Sequence, residues 1–206
     1  MRFDAAELSP KQNYKFLSGA VVPRPIAFIT TLSKDGETVN AAPFSFFNVV
    51  SSDPPMISVA IQRADGELKD TARHALDRGE LVIQIVSEDF VEDMNETAAR
   101  LKREESELDR TKLHLDAPLE GFMVPGISEA KIKFHTKLTE HIEIKNDSGS
   151  VTADLLLLRV LHYDFSEEVF DPEAEYVLTE FLNPVSRLAG NDYARIGEKY
   201  TIRRPK

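Results

Sequence analysis

The chain of 206 residues contains no cysteine. That absence excludes disulfides, thiolate catalysis and cysteine-ligated metals, and it fits a reducing cytoplasm. Positive charge is in short supply. Lys and Arg number 25 against 35 Asp and Glu, a formal net charge of −10. This balance disfavours nucleic acid or an anionic membrane as the main partner, while leaving room for a local basic pocket. Long apolar runs are missing too. The strongest, Leu155 to Leu158, is far short of a membrane span. The opening residues Met1 to Glu7 carry acids where a secretory leader needs an apolar core. The expectation is a soluble cytoplasmic protein, with residues 1–206 forming a single domain.

Several catalytic patterns are absent as well. None of His74, His114, His135, His141 and His162 falls into a His-Glu-x-x-His metal spacing. Ser45, Ser51 and Ser52 lack the Gly-x-Ser-x-Gly elbow of a serine hydrolase. There is no Gly-x-Gly-x-x-Gly and no Walker motif, which disfavours a separate nucleotide domain.

What is present centres on residues 23–59. Pro23-Arg24-Pro25 fixes φ twice and forces an extended entry. Ile26 to Leu32 reads as a strand, and Asp35-Gly36 as a turn. A second strand begins near Thr38 and runs through Asn40-Ala41-Ala42-Pro43-Phe44-Ser45, with a third at Met56 to Ile61. Small residues and a proline sit where a core strand wants bulk. Pro43 therefore marks an edge or a bulge. With Asn40, Ser45, Ser51 and Ser52 nearby, such a segment suits a flat ligand against the backbone. It equally suits a bulged edge strand with no ligand.

Downstream, Leu68 to Gly79 reads as a helix whose first turn holds Lys69, Asp70 and Thr71. A helix start is a natural anion site, though Asp and Thr there also read as ordinary caps. Leu81 to Val86 is a strand. Phe90, Val91, Met94, Ala98 and Leu101 form a helical stripe expected to pack the core or a dimer contact. The charge run 102–110 reads as a solvated face, and 111–130 as an irregular crossing. Lys131 to Lys145, with a slip near Thr139, and Val151 to Phe165 predict a long hairpin whose leucines are buried on both sides. Arg24 and Arg187 are candidate binding residues or partners of acids, and Tyr193 either stacks on a ring or covers the core. Many strands with two interposed helices give a mainly β fold, a β-barrel with helical decoration.

The ordered pieces Pro23-Arg24-Pro25-Ile26-Ala27, Asp35-Gly36, Asn40 to Ser45, Ser52-Asp53-Pro54-Pro55, Lys69-Asp70-Thr71 and Arg187 to Tyr193 resemble the flavin reductase-like family. These are the FMN-binding split β-barrels that include flavoredoxin and the reductase components of two-component monooxygenases. Ala189 departs from a glycine common in the family. The resemblance implies FMN as cofactor, held by Arg24, Thr30, Thr31, Asn40, Ala41, Ala42, Pro43, Phe44, Ser45, Ser51, Ser52, Lys69, Asp70, Thr71, Arg187 and Tyr193. It implies NAD(P)H-dependent flavin reduction, a homodimer, and a monooxygenase or other electron acceptor as partner. A flavin-binding electron carrier, a reductase of another small molecule and a cofactor-free interaction module are the alternatives. Backbone N–H groups from Ala42 to Ser45 are the expected donors to a reduced ring, with no essential acid or base.

Overall fold

The structure, a computed structural model, describes residues 1–99 and 101–205. Helix α1 (Pro10–Ala20) opens with a reciprocal cap, in which Ser9 and Gln12 satisfy each other's backbone N–H groups. Strand β1 (Arg24–Pro25) leads into β2 (Ala27–Leu32), β3 (Val39–Phe44), β4 (Phe47–Ser52) and β5 (Pro55–Gln62). Helix α2 (Asp70–Arg78), strand β6 (Glu80–Ile85) and helix α3 (Val91–Glu96) follow. The long hairpin is β7 (Ile132–Lys145) and β8 (Val151–Phe165). The chain then adds β9 (Phe170–Asp171), β10 (Tyr176–Val177), α4 (Thr179–Leu182), β11 (Val185–Arg187) and β12 (Tyr193–Arg195).

Seven strands form one antiparallel sheet in the order β3-β2-β6-β7-β8-β5-β4. β3 and β4 stand at opposite edges, yet only Ser45 and Phe46 connect them. So short a link brings the two edges together and rolls the sheet into a barrel. The seam is closed by the chain itself rather than by a ladder, which is the split of a split β-barrel. The Ala60 N–H donates to the Phe46 carbonyl at 2.8 Å and ties the link to β5.

β2 is buried along its whole length because it is covered on both faces. Ala27 and Ile29 join the barrel core with Ile57, Val59, Ile61, Leu81, Ile83, Leu156 and Leu158. Ile26 and Phe28 belong to an outer cluster with Phe90, Met94, Leu108, Ile127 and Val185. Alternate side chains thus feed two cores, the period of a strand. Ala72 and Ala75 of α2 pack into the barrel cluster. Gly79 ends α2 in the left-handed region at φ +74, where a side chain would be strained.

The long hairpin appears as its periodicity predicts, with a register shift between Leu138 and Glu140. Three expectations are corrected. Leu156 and Leu158 are fully buried, but Leu155 and Leu157 are half-covered on the outer face. α3 is only six residues long, because the Thr97 hydroxyl donates to the Met94 carbonyl and the chain turns away. Phe90 and Met94 therefore pack in the core, while Ala98 and Leu101 leave the helix. The charge run is not wholly solvated, since a 3-10 turn at Glu107–Arg110 buries Leu108.

Candidate functional site

The site grows from the free edge of β3. Register with β2 pairs Ala42 with Ile29 and Phe44 with Ala27. Backbone groups alternate sides along an antiparallel strand, so Val39, Ala41 and Pro43 present theirs away from β2. Two contacts agree with that parity. The Ser106 hydroxyl donates to the Val39 carbonyl at 2.6 Å, and the Ala41 N–H donates to Glu107 Oε2 at 3.2 Å. Pro43 falls at an outward position, where its missing N–H costs no ladder bond. The donor set expected from Ala42 to Ser45 is thereby corrected. Ala42 and Phe44 spend their N–H groups on β2 and Pro43 has none, leaving Ser45.

Next to this edge begins α2. Its N-cap residue, Lys69, makes no side-chain capping bond to the first turn. Lys69 Nζ lies 5.7 Å from the centre of the Phe44 ring. Thr71 is buried, and the Asn40 carboxamide meets its Oγ1 at 2.9 Å. Turning that amide over keeps the 2.9 Å contact, with Thr71 now donating, and brings the amide nitrogen within 3.3 Å of Glu107 Oε1. Burial pushes the Glu107 carboxyl above its ordinary range, opposed by the bond from Ala41 and aided by the nearby charge of Asp70. Glu107 escaped notice in the sequence because it sits among charges. The signal that marks it is Leu108, one apolar residue inside a polar run, preceded by the capping residue Ser106.

The C-terminal motif arrives through a small sheet, in which β1 pairs with β11 and β11 with β12, placing Arg24 opposite Arg187. Arg24 is 6% exposed. Its guanidinium donates to the carbonyls of Ser18, Val21 and Leu188, and more weakly to Ser45 Oγ at 3.4 Å. Among the described residues its partners are these carbonyls and Ser45, and neither the acid pairing nor a direct place on the groove wall is seen. Arg187 lies over the Tyr193 ring at 4.5 Å and donates to the Gly190 carbonyl. The Tyr193 hydroxyl donates to Asn95 Oδ1 at 2.8 Å.

Two cavities meet along β3. One, of about 300 Å³, is lined by Asn40, Ala42, Lys69, Asp70, Thr71 and Glu107, with Ala98, Ala99 and Leu101 opposite. The other, of about 210 Å³, is lined by Tyr14, Ser45, Met94, Arg187 and Tyr193. Pro43, Phe44 and Ala98 line both, so they form one groove. A larger hollow of about 710 Å³ beside α3 is lined by Glu88, Asp89, Glu92, Asp93 and Glu96, a wall that repels anions.

The groove gathers Asn40, Ala42, Pro43, Phe44, Ser45, Lys69, Asp70, Thr71, Arg187 and Tyr193. Ala41 lies beneath it through its backbone, and Arg24 behind it through Ser45. Thr30 and Thr31 are buried elsewhere, one donating to the Pro125 carbonyl and the other bonded to His74 Nδ1 at 3.1 Å. Ser51 and Ser52 end β4, roughly 20 Å along the chain from Ser45. The histidines stand apart too. His141 pairs with Asp154, His114 with Glu129, and His135 and His162 flank Phe122.

Residues 18–181 match the model of the flavin reductase like domain. The chain belongs to this family. Arg187 and Tyr193 lie beyond the matched span of the flavin reductase-like domain. The protein YwrF of Bacillus subtilis is 55% identical over 205 residues, covering 98% of both chains. The structure of nitrilotriacetate monooxygenase component B from Bacillus cereus is 40% identical, with a TM-score of 0.93 over 98% of each chain. That of 2-nitrobenzoate 2-nitroreductase NbaA from Pseudomonas fluorescens is 28% identical, with a TM-score of 0.88 over 100% of this chain and 96% of that one.

Proposed function

We propose that the chain binds FMN along the β3 groove and reduces flavin with NAD(P)H. The observation that carries this reading is the continuity of the groove. An edge strand of small residues runs directly into a helix start that its own N-cap side chain leaves uncapped. Both halves fit the cofactor. Ala42 and Pro43 leave room for a flat ring, and a phosphate suits the first turn of α2 with Lys69 and Thr71. Arg187 stacked on Tyr193 closes the opposite end. When bound, FMN supplies a two-electron acceptor for hydride from a nicotinamide. The protein's own part is to hold the ring against β3, present the Ser45 N–H and exclude water with Met94 and Ala98. The similarity to a monooxygenase component B supports delivery of reduced flavin to an oxygenase partner.

Phosphate recognition has its own test. Lys69→Ala is expected to weaken FMN binding by about 1.5–3 kcal/mol, the range for a charged hydrogen bond. Riboflavin, which lacks the phosphate, should bind almost as before. Equal losses for the two ligands would remove the phosphate from α2.

The reductase reading is tested by stopped-flow bleaching of FMN-loaded protein with NADH and with NADPH. Because no histidine lines the groove, each His→Gln variant should keep its rate within about tenfold, or 1.4 kcal/mol of barrier. A thousandfold loss in one variant that still holds FMN would require an acid or base from that residue. Bound FMN that neither nicotinamide bleaches would make the protein an electron carrier instead.

A further inference from the structure

Glu107 is a carboxylate on the wall of a cavity otherwise suited to an anion. It is wired to the anion site. Glu107 Oε1 reaches the Asn40 carboxamide, and that amide reaches Thr71 Oγ1 in the first turn of α2. The amide fits either way round, and the charge of Glu107 decides which way satisfies its donors and acceptors. With Glu107 ionised, the Asn40 nitrogen donates to Oε1 and the Asn40 oxygen accepts the Thr71 hydroxyl proton. Thr71 then offers only lone pairs to the cavity. With Glu107 neutral, its own O–H donates to the Asn40 oxygen, and the Asn40 nitrogen donates to Thr71 at 2.9 Å. The Thr71 proton is then free to meet an anion.

We propose that Glu107 is a positioning residue that couples binding of the anionic flavin phosphate to uptake of a proton, by turning over the Asn40 carboxamide. This rests on the reading of the groove as an FMN site. Charge repulsion between carboxylate and phosphate acts in the same direction as the relay. Other charges among the described residues lie on the elements packed against Glu107. α2 presents Lys69 and Asp70, and Asp70 is already approached by Arg73 at 3.5 Å and Arg103 at 3.7 Å. On the 3-10 turn itself, Asp109 and Arg110 are exposed. β3 contributes no ionisable side chain.

The sign follows from linkage. Burial already holds the free carboxyl above its ordinary 4.5, and the bound phosphate raises it further. FMN affinity falls as pH rises wherever the complex holds this proton and the free protein does not, by at most about tenfold per pH unit for one proton. Subtracting the uptake of a Glu107→Gln variant removes the titration of the phosphate itself, whose second pKa is about 6.

Titration calorimetry of FMN at a series of pH values from ~5 to ~8, in buffers of different ionisation heat, is expected to show more proton uptake by the wild type than by Glu107→Gln over part of that range. Glu107→Gln keeps the acceptor for the Ala41 N–H and donates permanently to Asn40. It should bind FMN more tightly wherever the wild type shows the extra uptake, with riboflavin affinity nearly unchanged. Asn40→Ala, which cuts the relay but leaves Glu107 in place, should take up less than the wild type. Proton uptake no greater in the wild type than in Glu107→Gln at any of these pH values overturns the coupling while riboflavin binding shows the groove intact. A wild type that binds neither flavin overturns the groove reading, and the coupling with it.

Discussion

Replacing Asp154 by alanine is expected to cost about 3–5 kcal/mol of stability, the range for breaking a buried ion pair from one side. Asp154 continues the inward-facing row of β8 that includes Leu156, Leu158 and Val160, and it is fully buried. Arg63 grips it with two hydrogen bonds, at 2.9 and 2.8 Å, and His141 Nε2 lies 2.8 Å from the same carboxylate. A carboxylate at the end of an apolar row is tolerated only because those partners satisfy it. Burial pushes its pKa up, but the bonds from Arg63 and His141 outweigh that and hold it below its ordinary 3.8. A depressed carboxylate stabilises the fold above its unfolded pKa, and that contribution is lost as pH falls through the folded value. Urea unfolding at neutral pH should therefore show the full deficit in Asp154→Ala, and a narrowing gap to wild type below pH ~4. A deficit under about 1 kcal/mol at neutral pH would mean the cluster is an exposed ion pair in energetic terms.

The barrel was legible because strand period and turn chemistry are local. Val151 to Phe165 and the slip beside Thr139 follow from alternation alone, and β8 and the Leu138/Glu140 register shift match them. Pro43 marked the edge strand by the same local logic, since a residue without an N–H cannot serve a central ladder. What stayed hidden depends on partners distant in sequence. Glu107 is drawn onto β3 from 66 residues away by the Ala41 N–H, and nothing in a run of charges announces which of them turns inward. The length of α3 was equally hidden. The stripe from Phe90 to Leu101 has helical spacing, but Thr97 ends the helix and leaves Ala98 and Leu101 as groove wall. The resemblance named Thr30 and Thr31 beside true groove residues because they share a strand pair with Asn40 and Ala41. Strand pairing gives proximity along the chain path, whereas facing the groove also requires the outward edge.

Arg24→Ala is expected to destabilise the protein by about 3–4 kcal/mol and to loosen the C-terminal motif before the barrel. Sequence reasoning offered this arginine a cofactor or an acidic partner, but its partners are mainly main-chain carbonyls, which no side-chain pattern reveals. One guanidinium nitrogen serves the Ser18 and Val21 carbonyls near the end of α1, and the other reaches the Leu188 carbonyl, 164 residues away. Nε faces Ser45 on the link that closes the barrel. Hydrogen bonds to a charged donor contribute about 1.5–3 kcal/mol each in isolation and are less than additive when they share one group. Removing the side chain strands three carbonyls in a site only 6% exposed where water enters poorly. Arg24→Lys should recover little, because an ammonium cannot span the fork from α1 to Leu188. Denaturant titration would give the stability change. Hydrogen exchange at Leu188 and Asp192, whose N–H groups close the Leu188–Asp192 turn, would show where the loss begins. A loss below about 1 kcal/mol, or protection of that turn equal to wild type, would show that the turn is held by Arg187 and Tyr193 alone. If the turn loosens as expected, Arg187 and Tyr193 lose their fixed position at the end of the groove, and FMN and riboflavin should weaken together. That pattern is opposite to the phosphate-selective loss expected from Lys69→Ala, so the two ends of the groove are separable by the same pair of ligands.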